Sequence, residues 1–163
     1  MSTQVRSMEA RVGRVKQRYA ADGSRLVAGV VAVSLDKRKV LVVESTNRAN
    51  HWVLPKGGYE TDEASPESAA EREAWEEAGI IGRITRSLGE IRDIRPPSVI
   101  KSSKNPKALY YFFEFCVEKE EPEWPEMHKR RRKWLTYDEA KKCFKTMNRP
   151  ELLEALERSS VTR

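Results

Sequence analysis

The hydrophobic residues of this chain are concentrated in three nearly continuous runs, RLVAGVVAVS at residues 25–34, VLVVE at residues 40–44 and ALYYFFEFCV at residues 108–117. Runs of β-branched and aromatic residues without polar alternation are typical of strands buried on both faces. The apolar segment WVL at residues 52–54 predicts a further short strand. Residues 80–94 lack a helical period, so we expect several short strands there.

Helix signals appear where this pattern changes. Ser65 is predicted to cap a helix that begins at Pro66 and closes at Gly79. Thr136 and Glu139 have the spacing of a capping box, which predicts a second helix.

A third helix is predicted to start at the Arg-Pro-Glu segment of residues 149–151, because leucines follow on one face. The RPP triplet at residues 95–97 is expected to break regular structure. Residues 98–107 are predicted to form a basic loop, and residues 118–126 an acidic one.

Strands interrupted by one internal helix and followed by C-terminal helices predict an α/β fold, specifically an α/β/α sandwich with a mixed sheet.

Length and charge limit the classes of protein to consider. The 163 residues fit one domain, which we place at residues 19–160, preceded by a mobile basic arm at residues 1–18. The net charge of +6 indicates anionic partners, either phosphate-rich small molecules or nucleic acid, although ordinary solubility charge has the same sign. We expect a monomer with no obligate nucleic acid partner.

The predicted location follows from signals that the sequence lacks. No apolar run approaches the roughly 20 residues that span a bilayer, so we expect no membrane association. The polar N-terminus does not resemble a secretory signal, and two cysteines without metal-type spacing fit free thiols in a reducing compartment. These features predict a cytoplasmic protein, and the basic hexamer HKRRRK at residues 128–133 leaves nuclear entry open.

The densest chemical signal is a set of acidic residues in the first predicted helix. Glu73, Glu76 and Glu77 lie three and four positions apart, so they share a face where like charges repel. A solvated acidic surface would account for them, but a bound cation would do so as well. Mg²⁺ suits such a site because it takes oxygen ligands and shares them with phosphates; Mn²⁺ or another divalent ion is the alternative.

The setting of these glutamates resembles the signature of Nudix hydrolases. Gly57 and Glu63 stand upstream at the spacing of that signature, and the segment REAWEEAGI at residues 72–80 matches its second half. Eight residues separate Glu63 from Arg72, one more than in the family pattern, which predicts an insertion in the loop and leaves the role of Glu63 open.

The resemblance implies a fold and a set of roles. It implies the sandwich fold already predicted and hydrolysis of a diphosphate-containing substrate. Glu73, Glu76 and Glu77 would hold the metal together with the backbone carbonyl of Gly57. Glu76 or Glu77 would act as the base, and Arg72 would orient the glutamates by a bidentate pair.

A narrower resemblance comes from the segments RLVAG, WVLPKGG, RDIRPP, HKRRRK and RPELLEAL together with the inserted residue. They are similar to those of fungal diphosphoinositol polyphosphate phosphohydrolases, a family that also cleaves diadenosine penta- and hexaphosphates and polyphosphate. The implied substrate is a polyphosphorylated small molecule that loses its β-phosphate.

Many cations are needed around such a substrate. If a strand begins inside HKRRRK, Arg130 and Arg132 point to the same side, and guanidinium groups bind phosphate bidentately. The full set that we assign to the substrate is Arg18, Arg25, Lys56, Gly57, Gly58, Lys101, Lys104, Arg130 and Arg132.

Two other functions remain open. A dinucleoside polyphosphate or messenger-RNA cap hydrolase would need an aromatic clamp, for which Tyr59, Trp124 and Tyr137 are available. A non-catalytic polyanion-binding module would keep the fold and lose the glutamates of the signature, all of which are present.

Overall fold

The computed structural model describes residues 6–163 and contains one seven-stranded mixed sheet. The strands are β1 (Arg25–Val33), β2 (Lys39–Glu44), β3 (Trp52–Val53), β4 (Lys56–Gly58), β5 (Ile80–Arg92), β6 (Ala108–Glu120) and β7 (Arg132–Thr136). The helices are α1 (Pro66–Ala78), α2 (Pro97–Ser102), α3 (Tyr137–Thr146) and α4 (Pro150–Arg158).

Strand β1 is the centre of the sheet and its most buried member. One edge pairs in parallel with β6 along the whole strand, from Arg25 opposite Ala108 to Val33 opposite Cys116. The other edge is shared, because β4 pairs with residues 27–29 and β2 pairs with residues 32 and 33. The second edge of β1 therefore pairs with β4 in its first half and with β2 at its end. This arrangement places residues 56–58 beside the first half of β1.

The helices cover this sheet and confirm the predicted fold class. Helix α1 packs on β1, β4 and β5, whereas α3 packs on β2, β3, β7 and α4. The predicted helix ends are confirmed: the Ser65 side chain accepts a hydrogen bond from the Ser68 N–H, and Gly79 closes α1 in the left-handed conformation. The capping box of Thr136 and Glu139 is present at the start of α3.

Several predicted elements differ from the structure. Residues 80–92 form one long strand with three register shifts instead of several short strands. These bulges interrupt the alternation of polar and apolar residues, which hid the strand in the sequence. The predicted basic loop contains α2, and β6 continues to Glu120 into the predicted acidic loop. Strand β7 does begin inside the basic hexamer, at Arg132, as predicted.

The N-terminal segment is tied to the domain within the residues described. Residues 1–5 of the predicted arm lie outside them. Gln17 is buried and forms a β-bridge with Glu60, and the indole N–H of Trp75 on α1 donates to the Ser7 carbonyl. The boundary between arm and domain stays a prediction, but residues 6–18 make specific contacts that the polar composition did not indicate.

Within residues 6–163, no helix combines the length and the apolar character required to cross a bilayer.

Candidate active site

The acidic face of α1 is directed into the protein. Glu73, Glu76 and Glu77 are 7%, 5% and 6% exposed, so the solvated-surface interpretation is wrong. Burying charged carboxylates is costly unless cations or hydrogen-bond donors compensate for the lost water. The neighbours of these side chains therefore determine what the site can do.

Arg72 compensates one side of the cluster. Its Nη1 group lies 2.8 Å from Glu73 Oε1 and 3.1 Å from Glu76 Oε1, and its Nη2 group donates to the Gly58 carbonyl at 2.8 Å. Arg72 therefore contacts Glu73 and Glu76 through one shared nitrogen and not through the bidentate pair that was expected, and its orienting role stays a prediction.

Glu63 holds Arg72 in turn. Its two carboxylate oxygens accept from Arg72 Nε at 2.9 Å and Nη2 at 3.0 Å, and Oε1 also accepts from the Glu60 N–H. The inserted residue therefore leaves Glu63 in contact with the cluster as the bidentate partner of Arg72.

The other side of the cluster is compensated from strand β4 and from the loop before β7. The Lys56 backbone N–H donates to Glu77 Oε2 at 2.9 Å, and Arg130 Nη2 lies 3.2 Å from Glu77 Oε1. Arg130 also pairs with Glu126, whose own N–H donates to the Glu76 carbonyl. Glu126 was not predicted, because the sequence indicated only an acidic loop at residues 118–126.

Burial raises the pKa values of the carboxyl groups in this cluster despite the cations beside them. Burial raises the pKa of Glu77 to about 7, although Arg130 and Lys56 oppose the shift. Burial and the nearby Glu77 carboxylate raise the pKa of Glu73 well above its ordinary value, and burial raises that of Glu76. Carboxyl groups in this state gain stability from either a proton or an additional cation.

A cavity of about 480 Å³ opens beside Glu77, Gly57 and the start of β1. We call it the cationic cavity, because five cations line it against two acids, Glu77 and Glu151. These cations are Arg25, Lys56, Arg95, Arg130 and Arg149. They come from five separate parts of the fold, so the folded chain concentrates positive charge beside the acidic cluster.

A larger cavity, about 780 Å³, lies between the N-terminal segment and α1. Its charges are nearly balanced, since four cations and five acids line it: Arg6, Arg11, Lys16 and Arg72, and Glu9, Glu60, Asp62, Glu71 and Glu76. A polyanion is attracted to excess positive charge, so the cationic cavity is the better site for one.

Comparison with known proteins explains this combination of elements. A NUDIX domain profile matches residues 23–157, which include the acidic helix and every residue that lines the cationic cavity. The chain belongs to the Nudix hydrolase family. It is 36% identical over 160 residues to Nudix hydrolase 4 of Arabidopsis thaliana, covering 91% of this chain and 73% of that protein.

Other relatives support the same family. The chain is 32% identical over 123 residues to a human protein named diphosphoinositol polyphosphate phosphohydrolase 3-alpha, covering 72% of this chain and 68% of the relative. The solved structure of a Nudix hydrolase from Nitrosomonas europaea superposes with a TM-score of 0.65 at 23% identity, covering 83% of this chain and 87% of the other. The structural match supports the fold.

The donor set of this Nudix hydrolase fits a hard divalent cation. Glu73, Glu76 and Glu77 supply carboxylate oxygens, which are the ligands that such an ion prefers, and burial raises the pKa values of all three groups. Gly57 leaves room beside them, since a Cβ atom there would lie 2.3 Å from Glu73 Oε1. Within residues 6–163 no three acidic, histidine or cysteine side chains are already grouped around one ion position. Ion pairs with Arg72 and Arg130 hold these carboxylates instead.

The structure brings together only part of the predicted substrate set. Arg25, Lys56, Gly57 and Arg130 line the cationic cavity. Desolvation lowers the pKa of Lys56 to about 8. Gly58 does not line the cavity, and its carbonyl accepts from Arg72.

Two predicted arginines are directed elsewhere. Arg18 donates to the carbonyls of residues 60, 61 and 63 and lies over the Tyr59 ring, so it fixes the loop that carries Glu63. Arg132 donates to the carbonyls of residues 78 and 121 and lies 4.0 Å from the centre of the Trp124 ring. Arg130 precedes β7, so the prediction that both arginines share one strand face is wrong.

Two predicted lysines are also away from the cavity. Lys101 lies in α2 and Lys104 in the loop after it, where both are exposed and neither lines the cavity. Sequence reasoning missed Arg95 and Arg149, which do line it. Both residues directly precede a proline, and each could have been considered because a loop next to a proline is held in a defined conformation.

The aromatic clamp of the alternative function is not formed by the predicted residues. Trp124 is buried beneath Arg132 and donates to the Glu77 carbonyl, and the Tyr137 hydroxyl bonds to Glu157. Tyr59 lies beneath Arg18. Each ring is occupied by the protein itself, so we find no support for base stacking on these three side chains.

Proposed function

We propose that this Nudix hydrolase removes the β-phosphate from diphosphoinositol polyphosphates, and that it also cleaves diadenosine penta- and hexaphosphates and polyphosphate. The observation that carries the proposal is the cationic cavity, in which five cations lie together with Gly57 and with Glu77 of the acidic cluster. A small ring bearing many phosphates needs this density of positive charge. The name of the human relative supports the same substrate class.

Different residues of the chain have different roles in this reaction. Arg25, Lys56, Arg130 and Arg149 bind and orient the phosphates. A divalent cation held by Glu73, Glu76, Glu77 and the Gly57 carbonyl would supply positive charge and acidify water. Arg72 and Glu63 keep the carboxylates in place.

Glu76 or Glu77 is the candidate base, and it accepts a proton from the attacking water. The oxygen of that water forms a bond to the β-phosphorus as the anhydride bond breaks. The products are orthophosphate and an inositol with one fewer phosphate.

The decisive measurement compares kcat/KM for a diphosphoinositol pentakisphosphate and for diadenosine hexaphosphate, each with Mg²⁺. We expect a clear preference for the inositol compound. A preference for the dinucleotide would contradict the proposal and favour the dinucleoside polyphosphate function. Cleavage of neither compound would contradict both.

The assignment of the acidic cluster is tested by Glu76→Gln. We expect kcat to fall by about a hundredfold or more, because the amide removes a charge that the reaction uses. Glu67→Gln is the matched control, since Glu67 lies exposed on the first turn of the same helix. Activity retained in Glu76→Gln would remove Glu76 from the mechanism.

A further inference from the structure

Gln17 is a buried polar residue in the segment that was predicted to be a mobile arm. Only 7% of its surface is exposed. Its amide nitrogen donates to the carbonyls of Arg18 and Leu26, both at 2.8 Å, and to that of Tyr59 at 3.2 Å. One side chain thus joins the N-terminal segment, β1 and the loop after β4.

These contacts fix which way the amide faces. Carbonyl groups only accept hydrogen bonds, so the nitrogen of Gln17 must face them and the oxygen must face away. That oxygen accepts from Arg25 Nε at 2.7 Å. Because a guanidinium is planar and rigid, a bond at Nε sets the direction of both terminal nitrogens of Arg25, and Arg25 lines the cationic cavity.

Gly58 provides the space for this arrangement. A Cβ atom at residue 58 would lie 2.2 Å from Gln17 Oε1 and 3.2 Å from Arg25 Nη2. The absence of a side chain on Gly58 therefore lets the Gln17–Arg25 pair lie against β4, next to Gly57 and the acidic cluster.

The chemistry of the partner matters as well as its position. A carboxylate at residue 17 would hold the guanidinium equally well, but its charge would cancel that of Arg25, and it would repel three carbonyl oxygens. A neutral amide holds Arg25 and leaves its full positive charge available to an anion. This is the requirement for a residue that positions a phosphate-binding arginine.

We propose that Gln17 is a positioning residue that directs Arg25 at the phosphates of a polyphosphorylated ligand in the cationic cavity. This inference rests on the proposed function for the identity of the substrate, but only on anion binding for its mechanism. It places a determinant of affinity in the N-terminal segment, outside the region that the NUDIX domain profile matches.

A double-mutant cycle tests the proposal with Gln17→Met, Arg25→Met and the two combined. Dissociation constants for inositol hexakisphosphate and inorganic tripolyphosphate are measured by calorimetry, together with KM and kcat. We expect Gln17→Met to raise Kd and KM by about tenfold and to change kcat less than twofold, because methionine keeps the size of the side chain and loses all four hydrogen bonds. In the Arg25→Met background the same change should have no further effect.

Other results would overturn it. An effect of Gln17→Met that persists without Arg25 would show a structural role, and an unchanged Kd would show no role. If Gln17→Met does not fold, Gly58→Ala provides the test, because its Cβ displaces the Gln17 oxygen and should weaken binding in the same way. Arg38→Met, which removes an exposed cation from the β1–β2 turn, is the control for lost charge.

The two proposals fail separately. Binding of inositol hexakisphosphate requires no turnover, so coupling between Gln17 and Arg25 without cleavage of an inositol pyrophosphate would reject the proposed function and keep the positioning role. Failure to bind either probe would overturn the positioning role.

Discussion

Gly57 lies where the backbone of β4 passes close to the carboxylate of Glu73 on α1. Alanine there would place a Cβ atom 2.3 Å from Glu73 Oε1 and 2.4 Å from its carboxyl carbon. Because Glu73 is buried and already bonded to Arg72, it cannot move aside without breaking that pair.

We therefore expect Gly57→Ala to lower kcat by about tenfold or more and the melting temperature by about 5 °C. Gly23→Ala is the control: residue 23 also has a special backbone conformation, with φ of 87°, but a Cβ there would contact nothing within 4 Å. The control should lose stability and keep activity. Normal activity in Gly57→Ala would show that Glu73 can reach its working position from elsewhere.

Residue types and their spacing predicted the roles of some single residues and missed those of others. The acidic cluster, Arg72 and Gly57 were found because their spacing along the chain is fixed. Arg18 and Arg132 were misassigned because sequence shows that a residue is charged but not which way it points. Both arginines bond to backbone carbonyls, and no spacing rule reports such contacts.

The buried carboxyl groups of helix α1 make the free energy of unfolding depend on pH. The pKa of Glu77 is about 7 in the folded protein, against an ordinary value of 4.5, and that of Glu73 is also raised. The folded state therefore holds more protons than the unfolded state between these values. Stability from this source is present at low pH and is lost as pH rises.

In metal-free protein, we expect the free energy of unfolding to fall as pH rises from about 5 to about 8. The slope is at most about 1.4 kcal/mol per pH unit for each carboxyl group. Lys56, with a lowered pKa of about 8, acts with the opposite sign only above that pH.

Denaturant unfolding at a series of pH values measures this slope. Glu77→Gln should reduce it, and added Mg²⁺ should restore the stability lost at high pH, since a cation replaces the protons. Stability that is flat or rises between pH 5 and pH 8 would contradict the assignment of the raised pKa values.

Elements with a strong local signal were predicted well from sequence. Continuous apolar runs predicted strands β1, β2 and β6. Capping residues predicted both ends of α1 and the start of α3. Strand β5 was not predicted as one strand, because it lies at the sheet edge, pairs only with β6 and is bent by bulges. The pairing of β1 with β4 has no local signal, because these two strands are not consecutive in the chain.

The molecule as a whole depends on contacts between its N-terminal segment and the loop that carries Glu63. Arg18 bonds three carbonyls of that loop, and Arg11 pairs with Glu60 at 2.6 Å and Asp62 at 2.7 Å. We expect a chain that begins at residue 19 to lose at least about tenfold in kcat/KM and several degrees in melting temperature.

A chain that begins at residue 10 is the control, because it keeps Arg11, Gln17 and Arg18. It should stay close to the full chain in kcat/KM. Equal activity of the full chain and the chain from residue 19 would show that the segment behaves as the inert arm that its composition predicted.

Strands β1 and β6 are parallel neighbours, and parallel neighbours need a long connection, which here runs from β2 to α2. The two strands can pair only after this whole connection has been synthesised. Pairing over such a separation slows folding. The cationic cavity is subject to the same delay, since it draws Arg25 from β1, Lys56 from β4 and Arg149 from the start of α4. A polyphosphate therefore binds the native state alone and stabilises the entire domain by mass action. During refolding, the moment at which polyphosphate binding appears would therefore report when the sheet is complete.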